Sequence, residues 1–114
     1  MLSGIQEKRR SPRIKLQTPL SYQTRGTPEI YHTLSGDIST GGVGFIHQGF
    51  IAPDTKLALK IDVFSHILSP VGKVVCAISL SHSDRYHLGV EFIELEAREK
   101  NYLRDYINMQ RGIF

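Results

Sequence analysis

The sequence predicts an all-β domain, an antiparallel sandwich or barrel, finished by one helix. Three observations carry this. Apolar residues alternate with polar ones in about six short stretches. Turn signals rich in Gly, Pro, Ser and Asp separate those stretches at the spacing of consecutive antiparallel strands. From Glu94 onward the apolar period becomes helical. The 114 residues suit one domain that buries a core without disulfides or metal. A hydrophobic share of 40% and a charged share of 22% exclude a disordered chain. No apolar run approaches the roughly 18 residues that would span a bilayer, so membrane insertion is not expected.

The elements follow in order. Ile14 and Leu16, then Leu20 and Tyr22, alternate with polar residues and are interrupted at Thr18-Pro19. A proline there implies an edge position, a bulge or two short strands. A strand is expected from Glu29 to Ser35, and another from Gly42 to Gln48 with Val43, Phe45 and His47 on one face. Lys56 to Val63 alternates cleanly, so Leu57, Leu59, Ile61 and Val63 share a face. Val71 to Leu80 is rich in Val and Ile, and Arg85 to Ile93 follows. The expected turns are Arg25-Gly26-Thr27-Pro28, Gly49 to Asp54, Ser65 to Pro70 and Ser81-His82-Ser83-Asp84. The helix is expected at about 95–111, where Leu95, Tyr102, Leu103, Tyr106, Ile107 and Gln110 form a stripe that packs on the sheet, with Gly112 as C′ residue.

Charge is distributed unevenly. Residues 1–25 carry Lys8, Arg9, Arg10, Arg13, Lys15 and Arg25 against Glu7 alone, a net +5. Residues 26–114 hold eight basic and ten acidic side chains, a net −2 within the total of +3. A basic first segment on a mildly acidic body suits an anionic partner, or a free basic tail.

Catalytic and metal signatures are not found. His32, His47, His66, His82 and His87 are scattered; His82 and His87 could face each other across the last hairpin, but without a carboxylate beside them. The single cysteine, Cys76, excludes an intramolecular disulfide and reads as a small hydrophobe within Val74-Val75-Cys76-Ala77-Ile78. Gly41-Gly42-Val43-Gly44 fits no phosphate-loop pattern. Glu91, Glu94 and Glu96 suit a helix N-terminus. No enzyme activity is expected, and no signal segment opens the chain, so the cytoplasm is the expected compartment.

Two segments carry information. In Lys8-Arg9-Arg10-Ser11-Pro12-Arg13 the proline keeps Ser11 out of helical angles. In an extended chain Arg9 and Arg13 then stand on one side, roughly 13 Å apart, with Arg10 turned away. Arginine pairs with phosphate bidentately and stacks on a nucleobase, so this pair suits a compact ligand holding both phosphates and purines. In Gly36-Asp37-Ile38-Ser39-Thr40-Gly41-Gly42, Asp37 and Ser39 share a face if the chain is extended, and Ile38 points into the core. A carboxylate can accept from a guanine edge or hold an arginine, a serine hydroxyl can donate or accept, and Gly41 and Gly42 permit positive φ and a close ligand approach.

Taken together, Arg9-xxx-Arg13 and Asp37-x-Ser39-xx-Gly42 resemble the two motifs of the PilZ domain, the bacterial receptor module for cyclic di-GMP. His87-Leu88-Gly89-Val90-Glu91-Phe92-Ile93 resembles that family's last strand, and the likeness covers nearly the whole chain. The resemblance implies a six-stranded antiparallel β-barrel of split-barrel type with a C-terminal helix. Residues 1–13 would be a basic ligand-binding segment and residues 14–114 the barrel with its helix. It implies that Arg9 and Arg13 bind phosphates and guanine faces as the N-terminal segment folds over the ligand. Asp37 and Ser39 would bond guanine edges or orient the arginines, and Gly42 would leave room for the base. Lys8, Arg10 and Gly41 take secondary places, Lys8 at a position compatible with an intercalated ligand pair. No cofactor is implied beyond cyclic di-GMP itself.

The expected function is a free-standing cyclic di-GMP receptor whose basic segment orders on the ligand and signals to a downstream protein effector. The alternative is a PilZ-like protein-interaction module that does not bind nucleotide. A general DNA or RNA binder is disfavoured by the net −2 body and by the lack of aromatic residues among the basic ones, Tyr22 being the nearest.

Overall fold

The computed structural model describes residues 11–112. Eight strands, β1 (Ile14–Lys15), β2 (Pro19–Thr24), β3 (Tyr31–Ser39), β4 (Gly42–Gln48), β5 (Lys56–Val63), β6 (His66–Leu68), β7 (Val71–Ser79) and β8 (Arg85–Glu94), precede one helix, α1 (Ala97–Gln110). Six of them close a ring in the order β3-β2-β5-β7-β8-β4, sealed by the β3–β4 pairing. All pairings are antiparallel. The predicted barrel with a terminal helix is therefore present, and closure leaves the ring without the open edges of a flat sheet.

Two further strands lie off the ring. The interruption at Thr18-Pro19 resolves into two short strands, β1 and β2, both paired with β3. Pro19 opens β2, a position where its missing N–H breaks no ladder. Ser65 to Pro70 is not simply a turn: β6 folds back on β5, Val63 facing His66 and Ile61 facing Leu68. Phe64 and Ser65 link them with φ of 52° and 68°, both positive as in a type I′ hairpin turn. The strand expected from Glu29 starts at Tyr31 and runs on to Ser39, and the helix begins at Ala97 rather than about 95.

Period-two burial fills the barrel. Leu57, Leu59, Ile61 and Val63 from β5, Val43 and Phe45 from β4, and Leu88 and Val90 from β8 are all buried in one apolar cluster. Leu103 and Ile107 of α1 join the same cluster, and Tyr102 donates from its hydroxyl to the Val63 carbonyl at 2.9 Å. Gly112 ends the helix at φ 76°, its N–H bonded to the Met109 carbonyl. Glu96 is the N-cap residue but makes no side-chain capping bond, and Glu99 supplies the acidic group of the first turn.

An aromatic–imidazole pair lies inside. The Tyr22 hydroxyl and His47 Nδ1 are hydrogen-bonded at 2.6 Å, with Tyr31 stacked on Tyr22. Burial pushes Tyr22 up to about 12 and His47 below the ordinary imidazole value, so both are held neutral.

The Cys76 expectation is corrected, and the geometry of two other features is fixed. Cys76 is exposed: the ladder slips between Val74 and Cys76, and the cysteine emerges on the outer face opposite Gly89. His82 sits in the β7–β8 turn at φ 58°, while His87 faces Ile78, so the two histidines do not oppose each other. Neither Gly41 nor Gly42 takes positive φ; among the described residues the glycines that do are Gly26, Gly49 and Gly112.

Candidate ligand-binding site

A bulge in β3 sets the site. Ser35 faces inward opposite Phe45, Gly36 is the extra residue, and Asp37 then pairs with Gly44 and Ile38 with Val43. Strict alternation from Ser35 would have turned Asp37 into the core and Ile38 out. The inserted glycine reverses this, so Ile38 is fully buried and Asp37 stands on the outer face.

Arg13 reaches that carboxylate. Its Nη1 donates to Asp37 Oδ1 at 3.0 Å, and both side chains are 37% exposed. The approach is fixed by β1, where Lys15 pairs with Asp37 and Ile14 with Ile38. Upstream, the Thr40 hydroxyl donates to Ser11 Oγ at 3.2 Å, tying the start of the described chain to the β3–β4 turn. An ion pair this exposed is worth at most about 1 kcal/mol, so the guanidinium can exchange the carboxylate for another anion at little cost.

The rest of the Asp37-to-Gly42 segment builds the turn. Ser39 is buried, and its hydroxyl accepts from the Gly41 N–H at 3.0 Å. The Gly41 carbonyl in turn accepts from Phe92 N–H of β8 at 2.8 Å. A Cβ at Gly42 would stand 2.2 Å from the Val90 carbonyl oxygen, so a side chain there would force β4 off β8. Packing of two backbones accounts for that glycine. Gly41 is exposed, and among the described residues a Cβ there would meet the Ser11 and Ser39 hydroxyls at 3.7 Å. Lys8, Arg9 and Arg10 lie outside the described residues.

The structure adds residues to this face. Gly44 and Gly89 pair across β4 and β8 and carry no side chain of their own, so neighbouring side chains close over them, Cys76 Sγ standing 2.7 Å from where a Gly89 Cβ would be. A Cβ at Gly44 would stand 2.8 Å from Asp37 Oδ1 and 3.1 Å from His87 Nε2. Glycine there is what lets the carboxylate and the imidazole lean over β4 from its two sides. The signal is in the sequence as Gly42-Val43-Gly44, glycines at alternate positions of a strand, which mark close approach of neighbouring groups on one face. Among the described residues no group of three or more His, Cys, Asp and Glu side chains gathers to hold a metal, and no helix is long and apolar enough to cross a membrane.

The PilZ domain family model matches residues 7–109. No curated protein matches the chain at a significant level. Among solved structures, the chain is similar to the Bacillus subtilis inhibitor of motility (MotI/DgrA), with a TM-score of 0.78 and 22% identity over 91% of this chain and 52% of that one. It is similar to the PilZ domain of YcgR from Escherichia coli with c-di-GMP, with a TM-score of 0.68 and 12% identity over 92% of this chain and 93% of that one. The MrkH–c-di-GMP complex of K. pneumonia gives a TM-score of 0.69 and 19% identity over 91% of this chain and 51% of that one. The chain thus spans about half the length of the motility inhibitor and of MrkH. At these identities the likeness carries the fold.

Proposed function

This chain belongs to the PilZ domain family, and from that premise we propose that it is a receptor for cyclic di-GMP in the bacterial cytoplasm rather than an enzyme. The observation that carries the reading is the exposed, exchangeable Arg13–Asp37 pair on the outer face of β3, beside the Gly44 position over which Asp37 and His87 converge. Cyclic di-GMP offers two phosphates to arginine forks and two guanines whose edges and faces a carboxylate and arginines can engage. Two similar solved structures, YcgR and MrkH, hold that nucleotide.

In this reading residues 1–13 are the ligand-binding segment. Arg9 and Arg13 engage phosphates and guanine faces, with Lys8 and Arg10 adding positive charge. Asp37 holds Arg13 in place until the ligand arrives and then accepts from a guanine edge. Ser39 and Gly42 shape the turn beneath, and Gly41 leaves the surface open. Ordering the segment costs roughly 1–2 kcal/mol per residue fixed, which the charge-assisted contacts must exceed. The reshaped surface then presents itself to a downstream protein.

Titration calorimetry with cyclic di-GMP at physiological salt tests this. The expected result is saturable binding that is lost in Arg13→Ala and absent for linear GMP, with the melting temperature of the variant unchanged. No heat from a folded sample would instead favour an interaction module that keeps the barrel without the nucleotide.

A further inference from the structure

The residues of the two motifs leave part of the same wall unexplained. Beyond Gly44, β4 presents Ile46 outward and β8 presents His87 opposite it, with Ile78 of β7 on the far side of His87. Ile46 is 39% exposed and Leu34 of β3 is 53% exposed. These side chains, with Gln17 and Arg85, line a cleft that adjoins Gly36 and therefore lies next to Asp37. The cleft forms where β3 and β4 part. Their ladder runs from Ser39–Gly42 only to Ser35–Phe45, and beyond it the Thr33 hydroxyl bridges to the Ile46 carbonyl at 3.4 Å.

His87 touches both regions. Its Nε2 approaches the point above Gly44 that Asp37 Oδ1 approaches from the other side, and its ring borders the cleft. An imidazole N–H is a donor, and a guanine presents the N7 and O6 acceptors on one edge. Leu34 and Ile46 supply the apolar surface on which a flat base rests, and Arg85 is a second donor nearby. Adenine keeps the N7 acceptor but carries the N6 amino donor in place of O6, so a donor aimed at O6 accepts guanine and meets a donor in adenine.

We propose that His87 is a further ligand-binding residue, donating to O6 on the Hoogsteen edge of a guanine that lies in the cleft beside Asp37. This inference rests on the receptor reading above and extends its site past the two motifs. It makes β8 a reader of the base, whereas the arginines take the phosphates.

The test is binding of cyclic di-GMP and cyclic di-AMP to the full chain, its His87→Ala and His87→Gln variants, and Arg13→Ala as reference. The expected result is that His87→Ala weakens cyclic di-GMP by about tenfold, the scale of one lost hydrogen bond. His87→Gln, which keeps a donor, recovers part of the loss, and preference over cyclic di-AMP narrows in His87→Ala. A second readout needs no variant: on titration of the wild-type chain the His87 imidazole resonances shift, while those of His66, stacked on Tyr102 against α1, stay in place. Wild-type binding retained within twofold in His87→Ala, or His87 resonances that do not move on saturation, overturns this inference and leaves the receptor reading standing. Failure of the wild-type chain to bind overturns both.

Discussion

The inner and outer faces of the β3–β4 hairpin use the same backbone for opposite purposes. Inward, Ser35, Ile38, Val43, Phe45 and His47 are buried, and each contact is fixed by its neighbours. Outward, Asp37, Gly41 and Ile46 form a surface whose Arg13–Asp37 pair is exposed and exchangeable. The inner face holds the fold, and the outer face is free to hold something else. The Gly36 bulge is what separates them, since without it the carboxylate would point into the apolar cluster. Ser39 and Gly42 cross this division: they belong to the motif by sequence and to the fold by contact.

Substitutions sort along that line, the largest effect first. Phe45→Ala should cost about 3–5 kcal/mol, because it empties a fully buried aromatic volume; chemical denaturation measures it. Gly42→Ala should destabilise by about 1–3 kcal/mol despite lying in the motif, as its Cβ meets the Val90 carbonyl backbone. A Gly42→Ala chain that melts like wild type would erase the distinction between the turn-building residues and the pairing ones.

The inner face also predicts a pH dependence. Burial lowers the His47 pKa, so the unfolded chain takes up that proton more readily than the folded one. Its contribution to stability is full above the ordinary imidazole value of about 6.5 and is lost as pH falls below it. Tyr22 acts at the other limit: raised to about 12, it contributes fully below about 10 and loses this as pH rises toward 12. Melting temperature should therefore drop between pH 7.5 and 5.5, and by less in a His47→Gln chain. Equal slopes in the two chains would remove His47 from the account.

The smallest stability effect belongs to the outer face. Asp37→Asn should change unfolding free energy by less than about 1 kcal/mol, because the Arg13 pair is exposed to solvent. Its effect on cyclic di-GMP binding should be far larger than its effect on melting. If the two fall together, the pair supports the fold rather than the ligand.

Much of the fold is legible in the sequence alone. Alternation in β5 and the matching runs of β4, β7 and β8 gave strands, because a half-buried strand must alternate. The helical stripe placed Leu103 and Ile107 inward for the same kind of reason. β6 was hidden because three residues are too few to show a period and the positive φ of Phe64 and Ser65 leaves no glycine signature. Cys76 was misread because a one-residue slip in the ladder reverses which side chains face inward, and nothing local marks Val75 as the slip.

The sequence by itself determined the all-β class, the terminal helix, the basic first segment and the two short motifs. Periodicity and charge are local properties, written into neighbouring residues. Only the tertiary structure decided that Asp37 faces outward to Arg13, that Gly42 serves the contact between β4 and β8, and that His87 stands across Gly44 from Asp37. Those facts depend on ladder register and bulges between strands tens of residues apart, and pairing across such distances is fixed by the closed barrel as a whole.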